Sequence, residues 1–161
     1  MPTGTAIERP PRFFRLLARM PIWLYRLHLG WIFDGHMLMI THTGRKTERP
    51  RHVVVEVVRH DKASGMYVVL SGWGERSDWY LNIQKTPAVT VHAGFRRFAA
   101  VAARLSPEES ERELMDYGRR RPIALRALAR RAAAQQQTAA GETCRVLAQL
   151  FPVIALRPTT R

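Results

Sequence analysis

Thr41 to Arg51 reads Thr-His-Thr-Gly-Arg-Lys-Thr-Glu-Arg-Pro-Arg, and no other stretch constrains the fold of the chain as strongly. It joins two short apolar runs through a tight cationic reversal. Met37, Leu38, Met39 and Ile40 lead in, and Val53, Val54, Val55, Val57 and Val58 lead out. Runs of this length, rich in β-branched residues, read as buried strands, and Gly44 supplies the backbone freedom a sharp turn needs. The turn is therefore expected at a sheet edge. Arg45, Lys46, Arg49 and Arg51 crowd it, with hydroxyls at Thr43 and Thr47. Such a loop is either a solvated hairpin tip or a seat for a phosphate or carboxylate, which would relieve the repulsion among the cations. It is not a P-loop, because Met39 stands where that motif needs its first glycine and Arg45 separates Gly44 from Lys46.

The rest of the chain supplies more short strands and one cluster of helices. Asp61 to Gly65 has hairpin chemistry and Met66 to Leu70 reads as a third strand, ended by Ser71-Gly72-Trp73-Gly74. The two glycines around Trp73 either let a ligand approach the backbone or form an ordinary turn with a half-buried tryptophan. Ser77 or Asp78 is placed to cap a short helix through Ile83 that Thr86-Pro87 ends. Val89-Thr90-Val91 and Phe95 to Ala103 flank Gly94 as two further strands. Ser106-Pro107-Glu108-Glu109 carries the residues of a capping box, with proline at the first helical position. Helices through Tyr117 and from Ile123 to Ala134 follow, Gln135 to Gly141 is a polar link, and Phe151 to Leu156 reads as a last strand. Strands in this number with few intervening helices predict a mainly β chain with flanking helices, closed as a small antiparallel barrel.

At 161 residues the chain suits a single domain, expected over residues 13–161 after a flexible lead-in at 1–12, with a helical insertion at about 106–150. Phe13, Leu16, Leu17, Met20, Trp23, Leu24 and Leu27 follow helical spacing. Arg12, Arg15, Arg19 and Arg26 break that run too often for a bilayer span. An amphipathic helix over 13–31 either docks on the core or lies on an anionic membrane. The formal charge of +13, from 26 basic and 13 acidic residues, favours an anionic partner without choosing among nucleic acid, membrane and small polyanion. Cys144 is the single cysteine, which excludes an internal disulfide and suits a reducing compartment such as the cytoplasm. It reads as a packing residue. The six histidines form no metal signature, so no metal site is expected. The arginine-rich segment from Arg119 to Arg131 lacks any recognised nucleic-acid-binding motif.

Three blocks, in order and at matching separations, give the chain a resemblance to a known family. They are Thr-His-Thr-Gly-Arg-Lys-Thr with a later Pro-Arg, Val-Val-Leu-Ser-Gly-Trp-Gly, and Asp-Trp-Tyr-Leu-Asn-Ile followed by Pro87 and Val89-Thr90-Val91. The chain resembles the deazaflavin-dependent nitroreductases, also called F420H2-dependent quinone reductases, from about Phe13 to the last strand. The resemblance implies a split β-barrel like that of FMN-binding proteins. It also implies hydride transfer from reduced coenzyme F420, a deazaflavin with a phosphate and an oligoglutamate tail, to a planar small-molecule acceptor such as a quinone, an activated alkene or a nitroaromatic. FMN is the alternative cofactor, and a protein that binds F420, a flavin or a lipid without turnover is the alternative function.

By carry-over, Arg45, Lys46, Thr47 and Arg51 hold the phosphate and tail, with His52, Val53, Val54, Val55 and Glu56 alongside. Leu70, Ser71 and Gly72 approach the ring, and Asp78, Trp79, Tyr80, Leu81 and Asn82 complete the wall. The chain departs from the family in two places. Gly72-Trp73 follows the serine where relatives often carry lysine, and Arg121-Pro122-Ile123-Ala124 replaces a tyrosine-rich cover that begins Tyr-Pro. The catalytic acid is therefore unassigned, with Tyr117 the substitute nearest in sequence. If Arg119 to Arg121 reach the substrate side, they favour acceptors with a carboxylate or an ionised phenol. The resemblance also leaves room for a homodimer and for peripheral contact with the inner face of the membrane through residues 13–31.

Overall fold

The computed structural model describes residues 35–133 and 143–159. Among them are six strands and four helices: β1 (Met37–Thr43), β2 (Pro50–His60), β3 (Tyr67–Leu70), α1 (Asp78–Lys85), β4 (Ala88–Ala93), β5 (Arg96–Arg104), α2 (Pro107–Arg120), α3 (Pro122–Ala133), α4 (Thr143–Leu150) and β6 (Val153–Pro158). The strands close into an antiparallel barrel in the order β1-β2-β3-β6-β5-β4, with β4 returning to β1 through Met39 opposite His92 and Thr41 opposite Thr90. The predicted lead-in, the helix over 13–31 and the Gln135 to Gly141 link lie outside the described residues.

Period-two alternation in the strands fills the barrel from within. Leu38 and Ile40 of β1, Val55 and Val57 of β2, Tyr67 and Val69 of β3, Val89 and Val91 of β4, and Ile154 and Leu156 of β6 all point inward. Alanines at 93, 100 and 102 leave room for Trp79, Tyr80 and Ile83, which α1 pushes into the same core. Burying each large side chain contributes roughly 1.5–3 kcal/mol relative to exposure. A second core lies outside the barrel. Leu114, Tyr117, Leu128, Leu147 and Phe151 of the helical segment cover Val58, Val68, Leu70 and Val153. Cys144 packs half-buried against this layer, and burial raises its thiol pKa.

A β-bulge in β2 lets one strand serve both cores. Val57 pairs with Val69 and Arg59 with Val68, so Val58 is the extra residue. The bulge turns Val58 and Arg59 both outward, and His60 faces in again to stack on Tyr67 with ring centroids 4.0 Å apart. The helical layer then engages what the bulge leaves over. Arg120 donates to the Val58 carbonyl at 3.1 Å, and Arg59 forms a two-pronged ion pair with Glu113 at 2.8–3.0 Å.

Three local expectations are revised. The cationic turn lies at the rim of a closed barrel, because β4 covers the side of β1 that a sheet edge would leave bare. Ser77 occupies the N-cap position of α1 but makes no side-chain cap bond; its hydroxyl turns back to the Gly74 carbonyl at 3.0 Å. The last strand starts at Val153, since the Phe151 N–H bonds back to the Leu147 carbonyl and its ring is buried under the helices. The capping box at Ser106 forms in full, with Ser106 Oγ accepting from the Glu109 N–H and Glu109 accepting from the Ser106 N–H. Ser106→Ala removes the first of these bonds and is expected to cost about 1 kcal/mol. Thermal unfolding should show this as a loss of roughly 2–4 °C; an unchanged Tm would mean that α2 does not depend on its cap.

Candidate active site

The site is built at the barrel end where β1, β3 and β5 finish and β2, β4 and β6 begin. The turn from Gly44 to Arg49 closes with the Gly44 N–H on the Arg49 carbonyl at 2.9 Å and the Glu48 N–H on the Gly44 carbonyl at 2.8 Å. Glu48 takes a left-handed conformation, φ 54°, which costs a non-glycine residue roughly 1–2 kcal/mol. A Cβ on Gly44 would come within 3.0 Å of Thr47 Oγ1 and 3.3 Å of the Arg49 carbonyl, so the close approach of the two arms requires glycine there.

One face of α1 holds this turn in place. Asp78, Asn82 and Lys85 recur at helical spacing, opposite the core-facing Trp79, Tyr80 and Ile83. Asn82 Oδ1 accepts from the Arg45 backbone N–H and from its guanidinium, both at 3.0 Å. Asp78 pairs with the same guanidinium at 3.1 Å, and Lys85 donates to the Arg45 carbonyl at 2.9 Å. The Asn82 amide lies 3.2 Å from His42 Nδ1. Burial first, then the positive surroundings of His52 and Arg51, lower the His42 pKa to about 4, so the ring is neutral at pH 7 and Nδ1 accepts. Arg45 is thus consumed in building the turn. Lys46, Arg49 and Arg51 are exposed, and among the described residues no carboxylate pairs with them.

Asn82→Ala strips Arg45 and His42 of their shared partner at a buried position. Stability is expected to fall by about 2–3 kcal/mol, because buried polar groups are left without bonds. Chemical denaturation of the variant checks this, and a loss below about 0.5 kcal/mol would show that water replaces the amide.

From the turn, the outer face of β2 runs through His52, Val54 and Glu56, while Val53, Val55 and Val57 face the core. His52 to Glu56 spans about 13 Å at ~3.3 Å per residue. The Thr41 hydroxyl lies 3.0 Å from His52 Nδ1 and 3.4 Å from His92 Nε2, placing both rings beside this track. Burial, Arg97 and His52 lower the His92 pKa. At the far end of the track, Glu56 Oε1 accepts a hydrogen bond from the Tyr117 hydroxyl and lies 3.7 Å from the Arg121 guanidinium. Tyr117 is buried, and burial, then the hydrogen bond to Glu56 and its charge, raise its pKa, so it stays a donor.

Leu70 pairs with Glu56 across the sheet and opens the loop from Ser71 to Ser77. The Ser71 and Ser77 hydroxyls, 2.8 Å apart, share the Gly74 carbonyl at 2.9 and 3.0 Å, and Ser71 is fully buried. Arg131 of α3 donates to the Gly72 carbonyl at 3.3 Å and lies over the Trp73 ring, 4.6 Å from its centroid. The half-buried tryptophan therefore has a cation on one face.

A family profile described as F420H(2)-dependent quinone reductase matches residues 18–149. The chain belongs to that family. Membership makes it an oxidoreductase of the F420H2-dependent class. Among solved structures, it is similar to an F420-H2 dependent reductase, FDR-A, at 21% identity, over 76% of this chain and 94% of the other, with a TM-score of 0.54. It is also similar to a pyridoxamine 5'-phosphate oxidase-related, FMN binding protein from Nostoc punctiforme, at 14% identity over 94% and 81% of the two chains, with a TM-score of 0.51. At such identities these likenesses establish the split-barrel fold. No curated protein matches the sequence.

For this member of the F420H2-dependent quinone reductases, the structure divides the predicted site residues by position. Lys46, Thr47, Arg51 and His52 are exposed at one end of the β2 track, Val54 and Glu56 continue it, and Leu70, Ser71 and Gly72 flank its far end. Val53 packs partly on the barrel core; Val55, Trp79 and Tyr80 are buried within it, and Leu81 faces solvent. Arg45, Asp78 and Asn82 form the brace under the turn. Sequence reasoning missed Lys85, Arg131 and the bond between Tyr117 and Glu56. The stripe Asp78, Asn82, Lys85 was the available signal for the first. Nothing local announces the other two, which join residues 59 and 61 positions apart.

Proposed function

We propose that the chain binds coenzyme F420 along the outer face of β2 and passes its hydride to a planar electrophilic acceptor, a quinone, an activated alkene or a nitroaromatic. One observation carries this reading: among the described residues, three exposed cations at the rim have no carboxylate partner, and the Tyr117, Glu56 and Arg121 cluster lies about 17 Å along β2 from Arg51. The donor set at the rim suits the coenzyme's phosphate and oligoglutamate tail, because Lys46, Arg49, Arg51 and the Thr47 hydroxyl offer charge-assisted bonds. When bound, the reduced deazaflavin supplies the hydride.

The chain's own task is positioning. Lys46, Arg49 and Arg51 hold the anionic end, while Arg45, fixed by Asp78 and Asn82, keeps the turn in shape for them. Val54 offers an apolar surface between the two polar ends, and Leu70 with Gly72 sets the border at the ring end. FMN offers the cations a phosphate without a polyanionic tail, so F420 is the better match for three of them. Four arginines of the helical segment are engaged within the chain, which weakens the case for nucleic-acid binding. Arg119 pairs with Asp116, Arg120 and Arg131 are bonded to backbone carbonyls, and Arg121 faces Glu56.

Fluorescence titration with F420 and with FMN, followed by F420H2 oxidation across a panel of quinones, activated alkenes and nitroaromatics, tests the reading. F420 is expected to bind more tightly than FMN and to turn over with at least one acceptor class. Binding without turnover across the panel would mark the chain as a carrier, and absence of F420 binding would remove the proposal.

A further inference from the structure

Glu56 is the single carboxylate of β2, and its two oxygens are used unequally. Oε1 receives the Tyr117 hydroxyl and faces Arg121 at 3.7 Å, whereas Oε2 has no partner among the described residues. Tyr117 is 1% exposed; the Glu56 side chain is 40% exposed. The phenol is therefore shut away as a fixed donor, and the group presented to the surface is a carboxylate pinned through one oxygen, with the other unpartnered among the described residues. Arg121, whose side chain is 33% exposed, is countered by the same carboxylate.

We propose that Glu56 is a specificity-determining residue that selects the electron acceptor. Its free oxygen accepts a hydrogen bond from a hydroxyl or N–H on a neutral acceptor, and its charge rejects acceptors that carry a carboxylate. Tyr117 acts through Glu56 as a positioning residue. This rests on the reductase reading above, with the acceptor meeting the ring at the Glu56 and Leu70 end of the track. The chain's net charge of +13 attracts anions from a distance, but that attraction is screened over ~10 Å at 0.1 M salt. A carboxylate about 5 Å from Glu56 in a partly covered site is screened far less; Arg121 offsets part of the repulsion, and the remainder is worth about tenfold in rate. The global field therefore sets encounter, and Glu56 sets which encounter succeeds.

The test uses the full chain, F420H2 and two 1,4-naphthoquinones of similar reduction potential, one bearing a hydroxymethyl and one a carboxymethyl group. The ratio of their kcat/KM values within each variant cancels any effect on the cofactor. Glu56→Gln keeps the shape and an oxygen for Tyr117 but removes the charge. It is expected to shift the ratio about tenfold toward the carboxymethyl quinone, a shift that persists in 0.5 M salt. Glu56→Asp keeps the charge on a shorter arm and should still reject the carboxymethyl quinone while losing its gain on the hydroxymethyl one. Tyr117→Phe unpins the carboxylate and should erode the hydroxymethyl preference chiefly through KM. An unchanged ratio in Glu56→Gln, with its circular dichroism and Tm intact, overturns the proposal. A parent chain that binds F420 yet oxidises F420H2 with neither quinone, nor with any other acceptor, overturns the reductase reading and this inference with it.

Discussion

Replacing Lys46, Arg49 and Arg51 together by glutamine is expected to raise the Kd for F420 by about 10³-fold or more and to leave Tm within about 2 °C. A charge-assisted hydrogen bond contributes roughly 1.5–3 kcal/mol. Three neighbouring ones do not add fully, so about 4 kcal/mol is a conservative sum, which corresponds to about 10³ in affinity. The fold loses little, because all three side chains are exposed and none pairs with a carboxylate among the described residues. The parent's affinity should fall steeply with added salt, and the variant's should be nearly flat. Arg45→Ala makes the contrast. It releases Asn82 and Asp78 as well, so it should lower Tm together with affinity. Fluorescence titration of both proteins at low and high salt decides the matter; a triple variant that still binds as tightly as the parent would place the anionic tail elsewhere.

The difference between Arg45 and Lys46 shows where the sequence stops being readable. Gly44 between two apolar runs announces a turn through local backbone chemistry, and the four cations around it announce an anion. Adjacent cations look alike in sequence, yet Arg45 is spent on Asp78 and Asn82, more than thirty positions away, and Lys46 is left exposed. Only closure of the barrel brings α1 under the turn. The same limit explains β2. Val53 to Val58 announces a strand, but a run that is apolar on both faces hides its register, so the bulge at Val58 and the outward turn of Glu56 were not legible. Trp79 and Tyr80 are a further case. Aromatic residues in a short helix beside a proposed ligand site read equally well as wall or core, and small alanines on β4 and β5 decide for core by leaving space. The capping box at Ser106 was fully legible because all of its bonds lie within four residues.

Acid is expected to lower the stability of the fold, and His42 supplies the largest defined part of that loss. Its pKa is about 4 in the folded chain against an ordinary value of 6.5. As the pH falls through 6.5 the unfolded chain takes up the proton and the folded one does not, so the unfolded state gains. The contribution of His42 is therefore complete above about pH 6.5, declines down to pH 4, and is gone below. A difference of 2.5 between 6.5 and 4 bounds it at about 3 kcal/mol. His60 and His92 are shifted in the same direction by burial and nearby cations, so the parent should lose somewhat more than His42 alone explains. His42→Asn isolates the share of His42, since an asparagine oxygen can accept from the Asn82 amide and does not titrate. Denaturant unfolding at pH 7.0, 5.5 and 4.5, a range in which ordinary carboxylates remain mostly ionised, should give a parent curve that falls and a variant curve flatter by about 2–3 kcal/mol at the acid end. F420 affinity of the folded chain should hold over the same range and fall only as the pH passes about 4, where a charged His42 no longer accepts from Asn82 and the brace on Arg45 slackens. Parallel curves for parent and variant would mean that the His42 ring is protonated in the folded chain, and that Asn82 holds the turn without it.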